Sequence, residues 1–255
     1  MKKATPIYFG CEALNNSEKS MTLKNFFTRA LMVATAILLT ACGSRIDNLM
    51  ETAKYAVGGD GDVSLSQQQI SDYPYAAMYA NLADKPRALL ALGYNDNGHY
   101  SWLSGSAEAF VTYQGRIVAT EGLPSNILFT SQVHDDPLGC WQQQRANCVT
   151  QWSRYIDLTT SYSRHQQTLT ETQRLTVNSS FEQQAEEAIE LPDGQTINAI
   201  HLVEHGMVAE TKQSFTNHFW LEPETRRVIK SQQWLGHQLG YLSLLEVKPY
   251  SADIQ

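Results

Sequence analysis

The sequence predicts a mainly β protein: an antiparallel curved sheet, open barrel or sandwich, with one short N-terminal helix. Three observations carry this. Short runs rich in Thr, Tyr, Val and Ile recur along most of the 255 residues. Turn signals separate them, among them Asn95-Asp96-Asn97-Gly98, Gln114-Gly115, Pro192-Asp193-Gly194 and Glu222-Pro223-Glu224-Thr225. No long helices alternate with the strands, which argues against a parallel α/β sheet.

Taken in order, Ser44–Val57 reads as an amphipathic helix. Ile46, Leu49, Met50, Ala53 and Val57 recur at three- and four-residue spacing, and Ser44 with Asp47 resembles a capping box. Gly58–Gly61 breaks it. Val63–Leu65 reads as a short strand and Ser66–Ser71 as a helical turn ended before Pro74. Ala76–Leu82, Ala88–Tyr94, His99–Leu103, Ala107–Tyr113, Arg116–Thr120 and Asn126–Ser131 read as strands. His134–Cys148 reads as a loop. Thr150–Thr160 and Tyr162–Val177 are strand stock, whereas the spacing of Ala185, Ala188 and Ile189 predicts a helix over Phe181–Leu191. Thr196–Val203, Met207–Phe215, Asn217–Leu221, Arg227–Gln233 and Gly240–Val247 complete the sheet. There is no fixed-period repeat and no Pro-, Gly- or Ser-rich linker to split the body.

Ahead of that body, Lys24 and Arg29 precede the apolar run Ala30–Thr40. Eleven helical residues span roughly 16 Å, about half a bilayer core, so the run is a signal h-region rather than a membrane span. It ends in Leu39-Thr40-Ala41-Cys42, which has the form of a lipobox: small residues before a cysteine that accepts a diacylglycerol. The expected organisation is a leader over residues 1–41, with Met21 the expected start and residues 1–20 misassigned. A tether over 42–61 and a single β-rich periplasmic domain follow. Gly43 and Ser44 lack the Asp that retains lipoproteins in the inner membrane, so the outer membrane is the expected destination. Each buried acyl methylene, on palmitate for example, contributes about 0.8 kcal/mol to anchoring. Cys11 then falls in the discarded segment and Cys42 carries lipid. Cys140 and Cys148 are left as an even pair in an oxidising compartment, where a disulfide is expected. Zinc would be two ligands short there.

The chain carries a net charge of −7. Its first 41 residues hold five basic and two acidic residues, which leaves 14 basic and 24 acidic residues, a net of −10, for Cys42–Gln255. Such a body lacks the basic face that a phosphate backbone requires, so nucleic acid is not an expected partner. His201-Leu202-Val203-Glu204-His205 matches the inverted zinc-protease motif, but that chemistry needs a helix and this stretch reads as strand. Asp60-Gly61-Asp62-Val63-Ser64 opens like a calcium loop, yet Leu65 and Ser71 stand where the turn glycine and the bidentate glutamate belong. His134-Asp135-Asp136 has no nucleophile motif beside it and reads as a solvated loop. No metal, cofactor or catalytic residue is expected. Five tryptophans and twelve tyrosines remain, the stuff of cross-strand packing or of stacking on sugar rings. Trp141, Trp102 and Trp220 are the candidate ligand contacts.

Several patches resemble the group 4 capsule polysaccharide lipoprotein family, the GfcB and YjbF group. They are Pro74-Tyr75-Ala76-Ala77-Met78-Tyr79; Leu90-Ala91-Leu92-Gly93-Tyr94 with Trp102-Leu103; and Asn217-His218-Phe219-Trp220 running through Val228, Ser231, Gln233 and Leu235-Gly236. The lipobox agrees. The resemblance spans roughly Ile46–Tyr250; Cys140 and Cys148 lie outside the shared pattern. It implies a mostly β fold and a noncatalytic accessory role in capsule or exopolysaccharide assembly and export. The partners implied are export proteins or glycan. A lipid or lipoprotein carrier with an apolar cavity and a periplasmic glycan hydrolase are the alternatives.

Overall fold

A computed structural model describes residues 61–83, 85–164 and 167–254. The chain divides into two units, Met1–Thr52 and Ala53–Gln255, and the described residues fall in the second. Cys42, the expected lipobox and the expected Ser44–Val57 helix lie outside them.

Thirteen strands occur among the described residues. They are β1 (Ala77–Leu82), β2 (Ala88–Asp96), β3 (His99–Leu103), β4 (Ala109–Tyr113), β5 (Arg116–Glu121), β6 (Ser125–Thr130) and β7 (Gln151–Arg164). β8 (Gln167–Gln183), β9 (Glu187–Glu190), β10 (Thr196–Val208), β11 (Ser214–Leu221), β12 (Val228–Trp234) and β13 (Tyr241–Lys248) follow. Twelve form one antiparallel path in the order β5-β4-β3-β2-β1-β13-β12-β11-β10-β8-β7-β6, with β9 paired only to β10. The two ends of the path, β5 and β6, are consecutive in the chain. They meet through threonines rather than a backbone ladder: Thr120 Oγ1 accepts from Ile127 N at 2.9 Å and Thr130 Oγ1 donates to Val118 O at 2.9 Å. The sheet is thus a nearly closed barrel.

Local chemistry sets the turns. Asn97 and Gly98 take φ of 52° and 85°, and Gln114 and Gly115 take 53° and 82°, the paired positive φ that a two-residue hairpin requires. Ser66 and Gln69 cap each other's backbone at the start of α1 (Gln67–Asp72), a reciprocal capping box. Val63–Leu65 is not a strand. It runs across the wall instead, with Leu65 N donating to the Tyr79 hydroxyl at 2.7 Å.

Two further expectations are corrected. Phe181–Leu191 is not helical: Phe181 ends β8 as a buried residue, and Ile189 in β9 is buried against Leu191, Ala199, Trp220 and Ile229. That is strand alternation, and tertiary burial overrides the alanine spacing. Thr196–Val203 and Met207–Phe215 are not two strands. β10 runs unbroken through Gly206 to Val208, and the turn comes after it. Gly206 permits this because a Cβ there would stand 2.1 Å from the Phe215 ring.

The barrel interior holds the main core, with Leu90, Trp102, Phe110, Val177, Phe215 and Leu242 among its members. Outside, α1 packs Ile70 onto Tyr79, Leu89 and Val247. The His134–Cys148 stretch contains order that the sequence reading missed: a 3-10 turn, Val133–Asp135, and α2 (Pro137–Gln142). Asp136 caps α2 by accepting from Leu138 N at 3.0 Å, with Pro137 in the first helical turn. Leu138 is fully buried among the inward-facing Ile200, Leu202, Phe219 and Leu221, so α2 plugs one mouth of the barrel.

Candidate functional site

Antiparallel strand directions sort the loops into two mouths. The β2–β3, β4–β5 and β11–β12 turns, the β6–β7 connection with α2, and the end of β13 lie at the first.

Beneath α2 sits a buried ionic cluster. Arg116 pairs with Asp136 and, at 2.8 Å, with Glu204; Arg154 reaches Glu204 at 2.8 Å. Ser179 Oγ donates to Glu204 at 2.6 Å and Asn217 Nδ2 at 2.8 Å. Burial alone would raise the Glu204 pKa. The two guanidiniums, Ser179 and Asn217 outweigh it and hold the carboxyl down at about 2. Arg116 is held up against its own burial by Asp136 and Glu204, and burial pulls Arg154 down. The arginines also lie over aromatic faces, Arg154 at 4.0 Å and Arg116 at 4.8 Å from the Trp152 centroid. This cluster is sealed. Its work is to tie Asp136, and with it α2, to the barrel.

Beside α2 the first mouth opens into a groove of about 360 Å³. Trp102 and Thr112 form the floor, joined by an indole-to-hydroxyl hydrogen bond of 2.8 Å. Tyr100, Tyr113 and Tyr250 stand along it with Arg227, Glu246 and Lys248. Each is braced. Tyr100 donates to Asp253 at 2.6 Å and packs on Tyr250, with ring centroids 5.5 Å apart. The Tyr113 hydroxyl meets His134 Nδ1 at 2.9 Å. Arg227 holds Glu246 at 3.1 Å, and Lys248 Nζ donates to Ser71 O and Tyr73 O at 2.8 and 2.6 Å. Burial pushes the Glu246 carboxyl up, with nearby Asp253 adding to it and Arg227 opposing.

A second hollow of about 410 Å³ adjoins it, lined by Trp141, Gln144, Arg145, Asn147, Cys148 and Arg226. Arg226 lines both. The Cys140–Cys148 disulfide, with Cα atoms 5.6 Å apart, closes the loop that carries this hollow. The opposite mouth has a cleft of about 740 Å³ lined by Leu158, Leu175, Trp234, His237 and several glutamines.

The three candidate tryptophans are not brought together. Trp102 lies under the groove and is 3% exposed. Trp220 is on the outer wall, 7% exposed, bonded to Glu187 at 2.7 Å and stacked on His201 at 4.7 Å, so its faces are covered. Trp141 is half-buried, tilted against Phe181 at 6.1 Å, and lines the hollow. In the His201–His205 stretch, strand alternation sends Glu204 into the barrel and both histidines outward. His201 Nε2 then meets His218 Nδ1 at 3.0 Å and His205 Nε2 meets Glu182 at 3.2 Å. No group of three metal-ligating side chains occurs among the described residues. Asp62 is spent on Arg87 N at 2.7 Å. His134-Asp135-Asp136 is not one solvated cluster, since Asp136 is buried and paired with Arg116.

Sequence reasoning missed Tyr100, Tyr113, Arg226, Arg227 and Glu246. The signal was present in the strand parity: in a meander, every second turn falls at the same mouth. Asn97-Gly98, Gln114-Gly115 and Thr225-Arg226-Arg227 therefore had to converge.

A family model described as "Group 4 capsule polysaccharide lipoprotein gfcB, YjbF" matches residues 50–246. The chain is 26% identical to the uncharacterized lipoprotein GfcB of Escherichia coli (strain K12), over 84% of this chain and 95% of that one. It is 23% identical to the uncharacterized lipoprotein YjbF of the same strain, over 82% and 92%. The crystal structure of the hypothetical lipoprotein YmcC from Escherichia coli (K12) superposes with a TM-score of 0.63 at 26% identity, covering 73% of this chain and 90% of that one.

Proposed function

Because the chain belongs to the group 4 capsule polysaccharide lipoprotein family, we propose that it binds glycan at the first mouth and serves capsule or exopolysaccharide assembly without chemistry of its own. In this reading Cys42 carries the lipid and the barrel stands at the periplasmic face of the outer membrane. The observation that supports it is the groove: three tyrosines over a tryptophan floor, interleaved with charged groups and braced by their own hydrogen bonds. Aromatic faces stack on sugar rings while polar tips bond hydroxyls, and a rigid site spends little entropy on binding. Crosslinking the lipidated protein in cell envelopes and identifying what is recovered tests the role. Capsule or exopolysaccharide export proteins are the expected catch; lipoprotein cargo or acyl lipid alone would refute it.

The carrier alternative calls for a deep Leu- and Phe-lined cavity, whereas Trp102, Phe110, Phe215 and Leu242 pack the interior. The hydrolase alternative has one observation in its favour: Glu246 and Asp253 both line the groove, and Glu246 is held up toward its protonated form. Both are engaged, by Arg227 and by Tyr100. Release of new reducing ends from envelope polysaccharide, lost in Glu246→Gln, would establish it in place of the binding reading.

A further inference from the structure

Two arginines stand out in this acidic molecule. Arg116, Arg154, Arg174 and Arg227 are each ion-paired, and Arg87 donates to Val63 O. The side chains of Arg145 and Arg226 have neither a salt bridge nor a hydrogen bond among the described residues, and Arg226 Nε is buried without a partner. The two line the same hollow, and no Asp or Glu lines it among the described residues. In the same turn Glu222 spends its carboxylate on Thr225 at 2.6 Å and Arg227 at 3.4 Å. The chain is bent to place them: Arg226 sits at φ 61°, and Gln144 and Asn147 in the disulfide loop at 50° and 60°. Left-handed backbone is uncommon at non-glycine residues. Trp141 also lines the hollow.

We infer that this hollow is a binding site for a carboxylated sugar unit, its carboxylate held by Arg226 and Arg145 and its ring lying against Trp141. The inference rests on the glycan reading of the groove and adds the charge of the glycan. A guanidinium fork suits a planar carboxylate, and in a partly buried hollow such charge-assisted bonds are stronger than neutral ones. The volume lies within the roughly 300–1,000 Å³ range of small-molecule sites. Since Arg226 also lines the tyrosine groove, one chain would run through both, a ring among Tyr100 and Tyr113 and the acidic unit beside Trp141. A body of net negative charge gives no long-range attraction to an acidic polymer, so recognition is left to these two side chains.

The test is calorimetric titration of the full-length chain in detergent with tetragalacturonate and with its carboxyl-reduced counterpart. The wild type is expected to bind the acidic oligomer about tenfold more tightly, the worth of one charge-assisted contact. Arg226→Gln and Arg145→Gln should each erase that preference, whereas Tyr113→Ala should weaken both oligomers alike. Equal affinity for the two oligomers in the wild type, or a preference that survives Arg226→Gln, overturns the acidic-unit site while the glycan reading stands. Binding of neither oligomer overturns the glycan reading beneath it.

Discussion

Glu204 has no exposed surface and depends on two arginines for its charge. Its carboxyl is depressed from the ordinary range to about 2, so the stability it contributes is fully present above its unfolded value of about 4.5 and is lost as pH falls through the folded value. Thermal melts from pH 6 to pH 2 should therefore show a drop confined to the interval below about pH 4.5, and Glu204→Gln should flatten it. The same substitution should cost about 3–5 kcal/mol at neutral pH, because it leaves Arg116 and Arg154 short of a counter-charge inside the barrel. Gly206 poses a different constraint, one of volume. A methyl group there meets the Phe215 ring, itself stacked on Trp234 with centroids 4.8 Å apart, and Gly206→Ala should cost about 1–3 kcal/mol in chemical denaturation. Neither role is visible in the sequence. A glutamate inside a zinc-like motif and a glycine inside a strand acquire their meaning only from which way alternation points them.

At the scale of elements, the plug and the seam are the two places where the barrel is finished by something other than strand pairing. α2 is held by Leu138, by the Asp136–Arg116 pair and by the Cys140–Cys148 bridge behind it. Replacing both cysteines with serine should lower stability by about 2–3 kcal/mol through the freed loop and leave the far-UV β signal unchanged. The seam between β5 and β6 depends on the hydroxyls of Thr120 and Thr130, and Thr120→Val with Thr130→Val should speed amide exchange along β6 before it affects β11 or β12. Most strands were legible because their turns are: Asn97-Gly98 and the Glu222–Thr225 turn announce hairpins by their backbone demands alone. β9 was not, since its four residues depend on the wall of Ala199, Trp220 and Ile229 that they cover. α2 was not, since its six residues are too few to show a period and are specified by Asp136 and Pro137 at one end. The candidate site was half legible. Trp141 could be singled out for its place beside Cys140, but Arg226 comes from the separate β11–β12 turn, which only the closed sheet brings to the same hollow.

Seen as a whole molecule, the strand path is a simple meander in all but one place. With β9 set aside as a partner of β10 alone, β6, β7, β8, β10, β11, β12 and β13 follow one another across the sheet in chain order, and so do β1 to β5. The exception is the β1–β13 pair, where Tyr79 lies opposite Leu245. Nearly all of the sheet can therefore form from contacts close in sequence, at small cost in chain entropy, while that single pairing must gather in the whole body of the chain. It should be the kinetic bottleneck of folding. Leu244→Ala, at this junction, should slow refolding in stopped-flow experiments, and Phe110→Ala, within the β3–β4 hairpin, should mainly accelerate unfolding. By the same logic, linking the end of β13 to the start of β1 and opening the loop at Gly122 would turn the barrel into an uninterrupted meander. Such a permuted chain should reach the same barrel faster than the natural order does.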